Sequence, residues 1–330
     1  MRVALVSTDG ADRGFVRADR LLLEGLGHEV AMVPGRTALD VLRIPAAVRG
    51  ADAVAVWHLG EAAFGAVACA SAFRRRSLLI LGGGHEYARD RDLGYGLWLR
   101  RADVRARARY AVRHAGAVWA VAPHIAPSMF RVGRVPRRPV EVVPTAPDPA
   151  RFRSRLDKDI DAALVLTGPQ YGHRGANVWT LKGLNTFLEA VRYLGVRAAV
   201  IGTSGTLPLH GGHRVEAPGW LDGDAYADYL SRVNVIVNAS LYEGLNNALC
   251  EGMLSGAVPV VSDIPGNRYA VDGCPWALTF PCGDVRALAR AIQAALGLAW
   301  CAEVGERCRA HVRSRFPLSA RREAFRRWLT

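Results

Sequence analysis

The chain has 330 residues, half of them hydrophobic, which exceeds the usual single-domain length and predicts two domains. Its net charge of +13 comes almost entirely from arginine, because only Lys158 and Lys182 are lysines, and it favours anionic partners. No uninterrupted run of about 18 apolar residues occurs, so we expect no membrane-spanning helix. The N-terminus enters a predicted strand directly, so we expect no signal peptide and a cytoplasmic location.

The first half alternates short β-branched runs with amphipathic helical patterns. This alternation predicts a Rossmann-like, doubly wound parallel sheet with helices on both faces. Strands are predicted at 2–8, 28–34, 52–58, 77–82, 116–122 and 140–144. Three prolines in 144–152 predict a linker, which assigns residues 1–152 to the first domain.

The second half repeats this scheme and is assigned to residues 153–315. Strands are predicted at 161–168, 197–203, 233–240, 258–263 and 276–281, and helices near 180–194, 223–232, 247–255 and 284–299. Residues 316–330 form an amphipathic pattern that predicts a C-terminal helix. Because open α/β sheets bind ligands at the carboxyl ends of their strands, we expect a ligand cleft between the two domains.

The cysteine and charge patterns indicate neither a metal site nor a nucleic-acid-binding site. The six cysteines form no CxxC pair and no metal-ligand spacing, so we expect reduced thiols and no metal. The basic charge is not accompanied by zinc-finger spacing or a known nucleic-acid-binding module, so we expect no nucleic-acid partner.

The segment 240–263, SLYEGLNNALCEGMLSGAVPVVSD, places Glu243 and Glu251 eight positions apart. It indicates a strand end, a loop with glycine and asparagine, and a helix that stops at Gly256. A loop that enters a helix N-terminus presents unpaired N–H groups and the positive end of the helix dipole, which suits a diphosphate. The residues alone also allow a simple capping loop followed by a solvated glutamate.

This segment resembles the donor-site signature of the family-4 retaining glycosyltransferases (glycosyl transferases group 1). There, two glutamates bracket an EG-x-P-N-A-L-x-E sequence that G-x-P-V-V follows, and Asn246 replaces the usual proline. The resemblance implies a GT-B fold, with the C-terminal helix packed back on the first domain. It implies that Glu243 contacts the donor sugar and Glu251 the nucleotide ribose. It also implies that four consecutive amides hold the diphosphate, those of Gly244, Leu245, Asn246 and Asn247.

Two further segments resemble this family. In NVWTLKGLNTFLEAV, Lys182 corresponds to a lysine that binds the donor phosphates, although an exposed helix-start lysine is the alternative. The usual partner arginine is replaced by Asn177, which leaves Arg174 as the candidate second phosphate ligand. In the first loop, Gly10 or Gly14 corresponds to a glycine beside the phosphates or the acceptor, and an ordinary turn is the alternative.

His85 follows the fourth predicted strand and three glycines, in LLILGGGHEYARD. The resemblance implies a histidine or an acid that faces the cleft there, so His85 joins Glu243 and Lys182 as a candidate catalytic residue. An ordinary loop histidine is the alternative.

Four arginines recur at four-residue steps in a predicted helix. Such a stripe either contacts an anionic membrane peripherally or forms a solvated helix face. Its members are Arg101, Arg105, Arg109 and Arg113.

The resemblance thus implies a retaining hexosyltransferase. It would move a sugar from a nucleotide-diphosphate sugar to a sugar, lipid-linked or small-molecule acceptor, in glycan, glycolipid or polysaccharide synthesis. No enzyme nucleophile, metal or cofactor beyond the donor is implied. The alternatives are a nucleotide-sugar epimerase or hydrolase on the same fold, and a non-catalytic protein that binds nucleotide sugars.

Overall fold

The computed structural model describes residues 1–8, 14–35, 37–135, 137–166, 178–208 and 214–330. The chain divides into two compact units. The first comprises Met1–Ala146 together with Leu318–Thr330, and the second comprises Pro147–Pro317. The last helix therefore belongs to the first unit, although the chain reaches it only after completing the second.

Within the described part of the first unit, six parallel strands form one sheet in the order β2-β1-β3-β4-β5-β6. The strands are β1 (Arg2–Ser7), β2 (Glu29–Pro34), β3 (Ala53–Trp57), β4 (Arg76–Leu81), β5 (Ala117–Ala120) and β6 (Glu141–Val142). The helices are α1 (Gly14–Glu24), α2 (Ala38–Arg49), α3 (Glu61–Ala72), α4 (Ala102–His114) and α5 (Ile125–Gly133). The central strand β3 is buried along its whole length, as a sheet covered on both faces requires.

The described residues of the second unit form a seven-stranded sheet in the order β13-β12-β11-β7-β8-β10-β9. Its strands are β7 (Ile160–Val165), β8 (Ala198–Ile201), β9 (Ser204–Pro208), β10 (Arg214–Pro218), β11 (Val233–Asn238), β12 (Val258–Ser262) and β13 (Leu278–Phe280). Its helices are α6 (Val178–Leu181), α7 (Leu184–Leu194), α8 (Gly223–Ser231), α9 (Asn247–Leu254), α10 (Pro265–Val271), α11 (Val285–Ala299) and α12 (Ala302–Arg315). The final helix, α13 (Leu318–Leu329), returns to the first unit.

The predicted architecture of two doubly wound parallel sheets is confirmed. Three details differ from the prediction. The edge strand β9 runs antiparallel to β10, and neither strand was predicted. Helices α10 and α12 were not predicted either. The helix expected over 180–194 is two helices, because Gly183 adopts a φ of +69° between them.

The predicted arginine stripe on α4 does not present four equivalent exposed charges. Arg109 donates from Nε to the carbonyl oxygen of Gly133 at 2.9 Å, and its guanidinium lies 5.7 Å from the ring centroid of Trp98. The Nε of Arg105 is buried, whereas Arg113 is exposed. Part of this charge is therefore used in contacts within the first unit itself, and membrane contact stays a prediction.

Among the described residues, no single helix has the length and apolarity to cross a membrane. Helix α11 and the α12–α13 segment meet that test only together, as a pair bent by 107°.

A buried ion pair attaches α13 to the first unit. Arg321 donates from Nε and Nη2 to the two carboxylate oxygens of Asp19 at 2.5 and 2.7 Å, and the two side chains are 1% and 0% exposed. Trp57 Nε1 donates to the same carboxylate at 3.0 Å. Arg321 Nη1 donates to the carbonyl oxygens of Val143 and Pro144 at 3.0 and 2.9 Å. These hydrogen bonds offset the cost of removing both charges from water.

Breaking one side of this pair should destabilise the first unit strongly. Arg321→Met leaves the Asp19 carboxylate buried without its cation, and we expect a loss of about 3–5 kcal/mol in the free energy of unfolding. Adding Asp19→Asn should restore much of that loss, because asparagine keeps an acceptor for Trp57 Nε1 without the charge. Urea unfolding followed by tryptophan fluorescence measures both effects.

The matched control is the exposed ion pair between Arg307 and Glu303 on α12. Glu303→Ala should change the free energy of unfolding by less than about 1 kcal/mol. A loss for Arg321→Met as small as this control would contradict the importance of the buried pair.

Candidate active site

Lys182 lies in the break between α6 and α7, and Gly183 shapes that break. A Cβ on Gly183 would lie 2.2 Å from the carbonyl oxygen of Ala239, so only glycine allows this close approach. The Leu241 amide donates to the Leu181 carbonyl oxygen at 2.9 Å. The break is therefore held against the residues that follow β11, at the carboxyl edge of the second sheet.

At that edge, Lys182 meets Glu243. The Lys182 Nζ lies 2.5 Å from Glu243 Oε1, and the two side chains are 18% and 11% exposed. The same oxygen accepts hydrogen bonds from Ser240 Oγ at 2.7 Å and Asn246 Nδ2 at 2.9 Å. Three donors on one oxygen fix the direction of the carboxylate, and limited exposure strengthens each charge-assisted bond.

Asn246 also begins α9. Its Oδ1 accepts a hydrogen bond from the Leu249 amide at 2.7 Å, which is the N-cap arrangement that favours asparagine. The residue that replaces the family's proline thus binds the helix start through its oxygen and Glu243 through its nitrogen. The chain places Gly244, Leu245 and Asn247 in this loop and helix start, as predicted; their role towards phosphate stays a prediction.

A second polar layer lies behind Glu243. Ser262 Oγ donates to the carbonyl oxygen of Ser240 at 2.6 Å, and Asn267 Nδ2 donates to the Ser262 carbonyl oxygen and Oγ at 3.0 and 2.9 Å. All three residues are buried. This layer connects β12 and α10 to the loop after β11. The sequence analysis missed it, because a lone serine or asparagine in a sequence does not reveal its partner.

Glu251 lies on α9, where its Oε2 accepts a hydrogen bond from the Tyr226 hydroxyl on α8 at 3.0 Å. Burial raises the pKa of Glu251, and this effect outweighs the opposing influence of the Tyr226 hydrogen bond and the Arg151 charge. Burial, together with the Glu251 charge, likewise raises the pKa of Tyr226. Tyr226 and Arg151 are the neighbours of Glu251 that the sequence did not predict.

The remaining candidates have different positions. Arg174 and Gly10 lie outside the described residues. Gly14 is the exposed first residue of α1 in the first unit. His85 lies in a short 3-10 turn after β4, partly buried, with its ring 6.0 Å from the ring of Tyr95. Its neighbour Glu86 contacts a second histidine, His58, which the sequence analysis did not single out.

Comparison with known proteins gives a family match for one segment of the chain. Residues 168–297, a segment of the second unit, match the family model of the glycosyl transferases group 1. No sequence among curated proteins matches the chain.

Solved structures share the fold over the full length. Sucrose-phosphate synthase from Thermosynechococcus elongatus has a TM-score of 0.79 at 16% identity, covering 100% of this chain and 98% of that one. HepE from Anabaena, solved in complex with UDP, has a TM-score of 0.71 at 14% identity, covering 100% and 99%. A glycosyltransferase from Rickettsia africae has a TM-score of 0.70 at 13% identity, covering 100% and 98%. The family match is thus confined to one segment of the second unit, and these solved structures share the fold of the whole chain.

The raised pKa of Glu251 predicts a dependence of stability on pH. The pKa of Glu251 in the folded protein lies above that of an unfolded glutamate. The free energy of unfolding therefore falls as the pH rises from the unfolded pKa to the folded pKa. Glu251→Gln removes this ionisation. At about pH 4, the Glu251 carboxyl group is mostly protonated in both the folded and the unfolded protein. The free energy of unfolding of the variant, relative to the wild type, should therefore increase from about pH 4 to about pH 8.

Urea unfolding across this pH range measures the difference. Glu216→Gln is the matched control, because Glu216 also accepts a tyrosine hydroxyl, from Tyr229 at 2.8 Å, but at an exposed position. A Glu251→Gln difference that stays constant or decreases with pH would contradict the buried carboxylate.

Proposed function

We propose that this protein is a retaining glycosyltransferase of the family-4 type, which moves a hexosyl group from a nucleotide-diphosphate sugar to an acceptor hydroxyl. One observation carries the proposal: Lys182 and Glu243 lie in contact at the carboxyl edge of the second sheet, beside the capped start of α9. A cation next to a helix N-terminus suits a diphosphate. The neighbouring carboxylate suits sugar hydroxyls.

The roles divide between the two ends of the donor. The diphosphate is held by Lys182, by the amides of residues 244–247 and by Arg174 as a second cation. The sugar hydroxyls bind Glu243, and the ribose hydroxyls bind Glu251. In the first unit, His85 is the further candidate catalytic residue, and Gly14 is a candidate for binding the donor phosphates or the acceptor. Support comes from the match of residues 168–297 to the family model. It also comes from HepE, whose structure in complex with UDP-glucose has a TM-score of 0.71 and 14% identity to this chain.

Lys182 keeps Glu243 in place while it binds phosphate. An ammonium group has three N–H donors, so one can remain on Glu243 Oε1 while the others bind phosphate oxygens. The diphosphate then approaches a carboxylate whose charge is already compensated, and repulsion between the two anions is reduced.

In the proposed reaction, the bond between the anomeric carbon and the diphosphate oxygen breaks. The acceptor oxygen bonds to the same face of that carbon, and its proton passes to a leaving phosphate oxygen. The negative charge that develops on the diphosphate is stabilised by Lys182 and the start of α9. Glu243 keeps the sugar in line with the acceptor, which reduces the entropic cost of the step.

We place this activity in the cytoplasm, in glycan, glycolipid or polysaccharide synthesis, with peripheral contact to anionic membranes through the remaining exposed arginines of α4. The competing candidates are a nucleotide-sugar epimerase or hydrolase and a non-catalytic binding protein. Product analysis with and without an acceptor separates them. Epimerisation or hydrolysis proceeds without an acceptor, and a binding protein shows affinity without turnover.

Substitutions at Glu251 and at Glu243 should have different effects on nucleotide affinity and turnover. Glu251→Ala should weaken UDP and UDP-glucose alike, by roughly ten- to a hundredfold, because a hydrogen bond to a charged group contributes about 1.5–3 kcal/mol. Glu243→Gln keeps an oxygen acceptor for Lys182, Ser240 and Asn246, so it should leave UDP affinity near the wild-type value. It should lower turnover, because the sugar hydroxyls lose their charged partner. Calorimetry with UDP and steady-state kinetics with UDP-glucose measure the two effects.

Glu216→Ala, at the exposed tyrosine–glutamate pair, is the control and should leave both measurements unchanged. If Glu243→Gln abolishes UDP binding while Glu251→Ala retains it, the two roles are reversed. If wild-type protein binds no nucleoside diphosphate, the proposed function is wrong.

Turnover should not require a metal ion, because Lys182 and the start of α9 supply the positive charge that a cation supplies in other transferases. Activity measured after dialysis against EDTA should match that of untreated protein. Loss of activity that magnesium or manganese restores would show that the donor enters as a metal complex.

A further inference from the structure

Cys274 and Cys308 lie in contact within the second unit. The two side chains are hydrogen-bonded to each other, and both residues are buried. Both are free thiols in this structure. Cys274 lies in the turn after α10 and Cys308 lies on α12, so the contact depends on how these two elements pack.

One face of α12 fixes this packing. His311 Nε2 lies 3.0 Å from the carbonyl oxygen of Ala270, and Arg315 donates from Nε to the carbonyl oxygen of Tyr269 at 3.0 Å. Cys308, His311 and Arg315 follow one another at three- and four-residue steps, so they share one face of the helix. That face therefore lies against the end of α10, and its cysteine is held opposite the one in the following turn.

The backbone of that turn holds Cys274 in place. The Cys274 amide donates to the carbonyl oxygen of Val271 at 2.8 Å, and the Ala277 amide donates to the carbonyl oxygen of Cys274 at 3.2 Å. The residues on either side, Gly273 and Pro275, are exposed. Cys274 is therefore the member of the pair that lies next to solvent-exposed chain.

The contact makes the two sulfurs chemically different. The hydrogen bond with Cys308 lowers the pKa of Cys274 to about 7, against the opposing effect of burial. The same hydrogen bond, with burial, raises the pKa of Cys308, and the charge of Lys158 opposes this rise. Lys158 is held nearby, since its Nζ donates to the carbonyl oxygen of Gly256 at 2.6 Å. Cys274 is thus the thiolate of the pair, and a thiolate is the reactive form of cysteine.

We propose that Cys274 and Cys308 form a redox modification site, at which a hydroperoxide converts the two thiols into an intramolecular disulfide. With hydrogen peroxide, the Cys274 thiolate attacks one oxygen and the O–O bond breaks, which gives a sulfenic acid. The released hydroxide combines with the proton that the thiol had lost. Cys308 Sγ then attacks the Cys274 sulfur, the S–O bond breaks, and the leaving hydroxide takes the Cys308 proton. Two thiols are oxidised, and one peroxide is reduced to two water molecules.

The disulfide joins two elements that hold the second unit together. On α12, Arg309 Nη1 also donates to the carbonyl oxygen of Leu254 at the end of α9, and α10 carries Asn267 of the buried polar layer. A cross-link between remote positions restricts the unfolded chain and stabilises the folded one. We expect the midpoint of thermal unfolding to be about 5–10 °C higher in oxidised than in reduced protein. This effect does not depend on the proposed transferase activity.

Peptide mapping of the full-length protein tests the cross-link. Reduced protein is treated with equimolar hydrogen peroxide, the remaining thiols are blocked with N-ethylmaleimide, and the peptides are identified by mass spectrometry. We expect a linked peptide pair that contains Cys274 and Cys308 and that dithiothreitol separates. Cys301, an exposed cysteine at the start of α12, should stay a thiol. Cys301→Ser is the matched control and should change neither the cross-link nor the thermal shift.

Single substitutions within the pair separate the two roles. Cys308→Ser keeps an O–H donor for Cys274 but cannot form the disulfide. After peroxide treatment, dimedone should therefore label the Cys274 sulfenic acid in this variant, with no cross-link and no thermal shift. Cys274→Ser should leave Cys308 unlabelled.

Differential scanning calorimetry of the wild-type protein, before and after reduction, measures the stability effect without any variant. The proposal is overturned if peroxide leaves both thiols open to N-ethylmaleimide after unfolding, or links either of them to another cysteine. It is also overturned if cross-linked and reduced protein unfold at the same temperature.

Discussion

One oxygen atom, Oε1 of Glu243, accepts hydrogen bonds from Lys182, Ser240 and Asn246, and the order of the candidate donor site depends on it. These donors come from the α6–α7 break, the end of β11 and the start of α9. A carboxylate with so little exposure is costly without compensation. The same three bonds that compensate it fix the loop between strand and helix. These bonds restrain the loop, which reduces the conformational entropy that ordering it for a ligand would cost.

The fold was predictable wherever a buried parallel strand leaves an apolar, β-branched run, as β3 and β11 do. Prediction failed where local sequence and tertiary context disagree. The region of β9 and β10 is rich in glycine and polar residues and indicates a loop, and it forms strands only because it extends an existing sheet. The periodic pattern over 180–194 indicates one helix, and the break at Gly183 follows from its contact with Ala239, which is remote in sequence.

The candidate site, like the fold, was predictable only in part. Glu243, Glu251 and Lys182 were found because motif spacing and resemblance to a known family are properties of the sequence. Their partners were not found, since Tyr226 and Asn267 become neighbours of these segments only through packing of helices and strands. His58 was not predicted, for a further reason. Its pattern is that of a strand end, and neither its positive φ nor its carboxylate partner is visible before the chain is folded.

The return of α13 to the first unit has a consequence for how the protein is made. Asp19 and Arg321 are separated by 302 positions, and the whole second unit lies between them. On the ribosome, the second unit is released and can fold while the first still lacks its last helix. The Asp19 carboxylate then remains without its guanidinium partner until α13 has been synthesised. The first unit is thus begun before the second and completed after it, and loss of α13 would affect the first unit directly.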